Sequence, residues 1–142
     1  MSQFEPGANI VLDTNIVLDL FVFGDPATVP LREALAQRTQ QWIATPAMRE
    51  ELARVLAYPQ IVKSLAHHGI AAASVLGQFD AQVHVVDAAP KASVTCKDPD
   101  DQKFIDLAVA HGAQLLSKDN AVLCMARRLQ ALGVRTDVAL AV

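Results

Sequence analysis

Aromatic side chains are scarce in this 142-residue chain, at 5% of its residues. The few rings, scattered at Trp42, Tyr58 and Phe79, exclude a platform on which unpaired bases could stack. Cysteine is equally sparse. Cys96 and Cys124 stand alone, without Cys-x-x-Cys or His-rich spacing, which excludes a disulfide framework and a zinc site. Free thiols in a reducing cytoplasm are the expectation. Positive charge is not in excess either: 12 Lys and Arg against 15 Asp and Glu leave a net charge of −3, so no general basic field draws the chain to phosphates or anionic lipid. Long hydrophobic runs are missing too. The most apolar stretch, Asn9 to Phe23, is broken by Asp13, Asn15 and Asp19, and Met1 to Gly7 lacks the basic and apolar regions of a signal peptide. Neither export nor membrane association is expected.

What is abundant is aliphatic. Hydrophobic residues make up 52% of the chain and charged residues 19%, the balance of a folded domain with an Ala/Val/Leu core. The length suits a single domain over residues 1–142.

Strand and helix signals alternate along the chain. Asn9 to Leu12 reads as a buried strand, followed by a helix whose apolar positions are Ile16, Val17, Leu20 and Phe21. Gly24-Asp25-Pro26 stops that helix, and a second spans Thr28 to Gln37 with Thr28 as cap. Trp42 to Ala44 is a short strand. Thr45-Pro46 then caps and opens a helix to Ala57, which Tyr58-Pro59 ends. Helical stretches at Ile61 to His68 and Ile70 to Phe79 meet at Gly69, and a third strand covers Val83 to Val86. An exposed connector, Lys91 to Lys97, leads to a helix capped by Asp98 and running to His111. A fourth strand at Ala113 to Leu116, a helix from Asn120 to Leu132 and a weak edge strand near Val134 to Val138 complete the pattern. Such alternation predicts a three-layer α/β/α fold around a parallel sheet of four to five strands with right-handed crossovers.

In open sheets of this kind ligands bind beyond the carboxyl ends of the strands. Asp13 closes the first strand and Asp119 lies just past the fourth. Each alone could serve only as a helix cap, but both open on the same sheet edge. On the helix after the second strand, with Met48, Leu52 and Val55 inward, Glu51 borders the inward stripe. Glu50 points away and is placed to pair with Arg54 one turn on. In Lys97-Asp98-Pro99-Asp100-Asp101-Gln102, Asp98 is the N-cap and Asp100 suits the helix dipole, while Asp101 aligns with Phe104, Ile105 and Ala108 on the inward stripe; Asp106 faces away. If Asp13, Glu51, Asp101 and Asp119 converge, their repulsion calls for a cation. Oxygen-only ligands select Mg²⁺ or Mn²⁺, as one ion or two about 4 Å apart, a centre suited to hydrolysing a phosphodiester.

In this order and at these strand ends, Leu12-Asp13-Thr14-Asn15, Thr45-Pro46 through Glu51-Leu52, Lys97 to Asp101 with Ala108, and Ser117-Lys118-Asp119 resemble the PIN domain family. The likeness covers nearly the whole chain and is greatest to the bacterial branch of toxins from toxin–antitoxin pairs. The resemblance implies a PIN-like fold and a metal-dependent endoribonuclease cutting single-stranded RNA, with Asp13, Glu51, Asp101 and Asp119 as catalytic acidic metal ligands. It implies supporting hydrogen bonds from Thr14 or Asn15 and from Ser117, with Asp98 close by, and a small antitoxin protein as partner. Many relatives carry Arg where this chain has Lys97.

Arg49, Lys97, Lys103 and Lys118 flank these motifs and are the candidates to contact RNA phosphates, although ordinary solvated surface charge has the same pattern. His67, His68 and His111 read as helix-end residues and His84 as a strand residue. A haloacid-dehalogenase-type phosphatase also has an Asp after its first strand, but its second acid falls here on Asn15. A phosphoacceptor receiver domain needs an acidic pair that this chain lacks, leaving Asp87 as its sole acceptor candidate. The remaining alternative is a PIN-like module that binds RNA or protein without cutting it. Leu18 and Phe21 to Phe23 could form a homodimer surface, with core packing the competing use.

Overall fold

The computed structural model describes residues 8–140. Its frame is a sheet of five parallel strands, β1 (Asn9–Leu12), β2 (Gln41–Ala44), β3 (His84–Val85), β4 (Gln114–Leu116) and β5 (Thr136–Asp137), in the order β3-β2-β1-β4-β5. Helices flank the sheet, giving the three-layer α/β/α architecture that the alternation predicts. β1 is central because Ile10, Val11 and Leu12 are apolar on both faces and almost wholly buried. It pairs with β2 through Asn9–Gln41 and Ile10–Trp42, and with β4 through Ile10–Gln114, Val11–Leu115 and Leu12–Leu116. The chain leaves β1 toward β2 on one side and takes up β4 on the other, so a crevice opens at the carboxyl ends of β1 and β4.

The helices are α1 (Thr14–Leu18), α2 (Val29–Ala36), α3 (Pro46–Leu56), α4 (Pro59–His68), α5 (Ala72–Gln82), α6 (Gln102–His111), α7 (Asn120–Leu123) and α8 (Ala126–Ala131). Met48, Leu52 and Leu56 bury the inner stripe of α3, and Phe104, Ile105, Leu107 and Ala108 that of α6. Trp42 and Phe79, distant in sequence, meet edge to face with ring centroids 5.2 Å apart, inside the core. Gly112, at φ +59°, ends α6, and the amide of Ala113 returns to the carbonyl of Ala108, so the chain turns directly into β4. Among the described residues no helix is long and apolar enough to cross a membrane.

Several local expectations are corrected. The first helix widens after Leu18 into a π-helical turn, Asp19–Phe23; Leu18 and Val22 are buried, Phe21 is partly buried and Phe23 is 40% exposed, so core packing takes most of this segment. Thr28 donates to the Asp25 carbonyl instead of capping α2, and Thr45 sits at the N-cap of α3 without a side-chain bond. Pro59 opens α4 in addition to ending α3, since proline needs no amide partner in a first turn. Glu50 and Arg54 are exposed and form no ion pair among the described residues. The connector before Asp98 is not wholly exposed: Ala92 and Cys96 are buried, because Asp106, expected to face away, accepts from the amide of Ala92 and from Gln102 Nε2, and Gln102 Oε1 accepts from the amide of Cys96. The helix expected from Asn120 to Leu132 breaks at Cys124-Met125, where a tightened turn from the Met125 amide to the Val122 carbonyl aims Met125 into the core. Cys96 and Cys124 are free thiols, the first buried and the second exposed.

Truncation of the wholly buried Leu115 to Ala costs about 2–5 kcal/mol of stability by loss of contacts and cavity formation. Val85→Ala on the edge strand, where the side chain is 60% exposed, changes stability by under about 0.5 kcal/mol. Urea unfolding of the two variants checks both; equal losses would place Leu115 outside the packed core.

Candidate metal centre

Asp13 follows β1 directly, and its amide donates to the carbonyl of Leu116 at 2.9 Å, extending the β1–β4 ladder by one rung. It occupies the N-cap position of α1 in extended conformation but makes no capping bond with its side chain. Its Oδ2 accepts from Ser117 Oγ at 2.6 Å, and the same Ser117 oxygen accepts from the amide of Asp119 at 3.0 Å. One buried hydroxyl thus links the ends of β1 and β4. Asn15 adds a second link, its Oδ1 accepting from the amide of Lys118 at 3.3 Å.

The Asp-rich stretch divides its tasks. Asp98 Oδ1 accepts from the amide of Asp100 at 3.0 Å and caps a 3₁₀ turn, Pro99–Asp101, that leads into α6. Asp100 is exposed. Asp101 makes no cap bond, is only 7% exposed, and leaves its Oδ2 buried without a hydrogen-bond partner. Asp119 caps α7 through Oδ1, which accepts from the amide of Ala121. Asp13, Asp101 and Asp119 each place an oxygen within 4.8 Å of the other two.

Crowding of this kind disfavours ionisation. Burial, then the Asp13 charge, then contact with Asp119 push the Asp101 carboxyl up to about 8, and burial raises Asp13 against the lowering effect of Ser117. Such a set fits a hard divalent cation: its donors are all carboxylate oxygens, close enough to share one ion, and the orphaned Asp101 oxygen lacks the partner that an ion supplies.

Glu51 lies beside this trio and outside it. It faces inward from α3, as its helical position requires, and its charge acts on Asp13. Both of its oxygens are engaged: Thr14 Oγ1 donates to Oε2, and Lys103 Nζ lies 2.5 Å from Oε1. Of the expected RNA contacts, Arg49 makes a two-pronged pair with Asp80, Lys118 pairs with the buried carboxylate of Asp19 at 2.5 Å, and Lys103 is taken by Glu51. Lys97 is exposed and has no ion-pair partner among the described residues. Sequence reasoning missed the Lys103–Glu51 and Lys118–Asp19 pairs, which join residues 52 and 99 positions apart and leave no periodic trace.

The raised Asp101 carboxyl has a stability consequence with a definite sign. Between the ordinary value of 3.8 and about 8 the folded chain holds a proton that the unfolded chain releases, so this group's favourable contribution is complete at low pH and is lost as pH rises through that window. In chelator, Asp101→Asn melts several degrees above wild type at pH 8 and level with it near pH 4, as followed by circular dichroism. A variant that melts below wild type at pH 8 would remove the case for repulsion.

Comparison with known proteins bears on this geometry. The solved structure of VapBC2 from Rickettsia felis, bound to a DNA fragment from their promoter, is similar with a TM-score of 0.62 over 90% of this chain and 98% of that chain, at 15% sequence identity. That likeness speaks to the fold. No curated protein matches. The family model described as PIN domain matches residues 9–121. The match starts at the first residue of β1 and ends just beyond Asp119, enclosing every carboxylate gathered at the sheet edge, and the chain belongs to the PIN domain family.

Proposed function

We propose that this protein is a metal-dependent endoribonuclease that cleaves single-stranded RNA with Mg²⁺ or Mn²⁺, acting in the cytoplasm as the toxin of a toxin–antitoxin pair. The observation that carries the reading is the Asp13–Asp101–Asp119 trio at the crevice between β1 and β4, with one buried Asp101 oxygen unpartnered. Family membership supports a nuclease, and the resemblance of the motifs around Asp13 and Asp98 to Asp101 supports the toxin branch. An antitoxin is the protein partner under this reading, and a homodimer the assembly.

Asp13, Asp101 and Asp119 would hold the ion, and the chemistry supplied there would be charge stabilisation at the scissile phosphate and a more acidic water. The chain's own residues do the positioning. Ser117 fixes the Asp13 carboxylate and the Asp119 amide together, so neither carboxylate must reorganise when an ion arrives. Asn15 steadies the loop that carries Asp119. Thr14 and Lys103 keep Glu51 facing the centre. Exposed Lys97 supplies local positive charge for phosphates, and Arg49 and Lys118 add to it where a phosphate takes the place of their aspartate partners.

With labelled single-stranded RNA and Mn²⁺, Asp13→Asn and Asp101→Asn each lower cleavage on the order of 100-fold or more, the scale of losing an electrostatic stabiliser. Ser117→Ala lowers it by about 10–100-fold through the ligand it orients. Millimolar Mn²⁺ raises the melting temperature of wild type and leaves Asp101→Asn almost unmoved. Equal cleavage by all variants would identify a contaminant and end the proposal.

A further inference from the structure

We propose that Lys103 is the resident cation of this centre: its ammonium holds Glu51 where a second divalent ion would need it, so the centre loads a single ion on Asp13, Asp101 and Asp119. The inference rests on the metal-centre reading above and specifies its stoichiometry.

Lys103 is anchored three times. Its Nζ lies 2.5 Å from Glu51 Oε1, donates to the carbonyl of Asp100, and sits 4.9 Å from the centroid of the Phe104 ring. The side chains of Lys103 and Glu51 are 26% and 14% exposed, so water screens this pair far less than an ordinary surface pair. Thr14 holds the other Glu51 oxygen. Both Glu51 oxygens therefore already carry a donor before any metal arrives, whereas the unpartnered oxygen belongs to Asp101.

The charges lead to the same count. With Glu51 neutralised by Lys103, one divalent ion against the three aspartates leaves a single negative charge. Among the described residues Asp98, whose charge also reaches Asp101, is held as the cap of its turn, and a second ion would be left to draw on Glu51. It would have to take that carboxylate from a tethered ammonium while repelled by both the ammonium and the first ion. Removing one partner of a half-buried pair leaves the other uncompensated, which makes Lys103 hard to displace and Glu51 newly available once Lys103 is gone.

Counting Mn²⁺ on the purified full chain, by calorimetric titration and metal analysis after dialysis, tests this together with electron paramagnetic resonance. Wild type is expected to bind one Mn²⁺ with the spectrum of an isolated ion, and Lys103→Met to bind two with a spin-coupled signal. Lys103→Arg, which keeps the charge within reach of Glu51, returns the count to one. A purely structural role for Lys103 would not change the count. Glu51→Gln retains the first ion, with affinity lowered by no more than about 10–100-fold, the scale of losing an outer partner. Two ions on wild type, or one on a folded Lys103→Met, would overturn the role of Lys103 and leave the metal centre standing; no ion on wild type would overturn the metal centre itself. Circular dichroism establishes folding, and if Lys103→Met does not fold, Lys103→Gln replaces it under the same outcomes.

Discussion

Mutual repulsion among carboxylates governs the sheet edge of this protein. Asp13, Asp101 and Asp119 bring oxygens within 4.8 Å of one another in a partly dry crevice, an arrangement that no local preference of the chain favours. It persists because the elements that carry them are held by something stronger. Asp13 is bonded through its backbone to β4, Asp101 ends the turn leading to a helix whose inner face is wholly apolar, and Asp119 caps a helix behind β4. The aliphatic core supplies the favourable free energy, and among the described residues the strain of like charges collects where a bound cation would relieve it.

Around this centre the polar side chains form a set of tethers, each crossing between elements. Ser117 joins β1 to β4, Asn15 joins α1 to the loop before Asp119, and Thr14 from α1 and Lys103 from α6 reach Glu51 on α3. Farther out, Gln102 and Asp106 on α6 pin the segment around Ala92 to Cys96 through its amides, so that Asp98 begins its turn from a fixed point. Placement of the acidic residues therefore depends on rigid elements and only secondarily on the loops, as a site that must bind without reorganisation requires.

Much of this was readable from residue patterns. The β-branched run ending in Asp13, the Thr-Pro before Glu51 and the Asp-Pro-Asp-Asp before α6 mark strand and helix boundaries by short-range chemistry, and helical phase alone separates Glu51 from Glu50 and Asp101 from Asp100. Where the reading failed, interactions across long chain separations decided the outcome. Asp106 turns to a connector amide, Lys118 to a buried Asp19 and Lys103 to Glu51, while the run from Asn120 breaks so that Met125 can enter the core. Two of the aromatic residues that look dispersed in sequence, Trp42 and Phe79, meet inside the core, while Tyr58 stays exposed.

The sequence by itself determined the alternation of strand and helix, the aliphatic core and the inward phase of Glu51 and Asp101, because these follow from periodicities and caps spanning a few residues. Tertiary structure alone decided that three aspartates share a site within the reach of one ion while Glu51 stays with Thr14 and Lys103 beside them. Those partners come from different elements of the chain. Only the strand order, which sets β4 against β1 and not against β3, the strand that precedes it in sequence, brings them together.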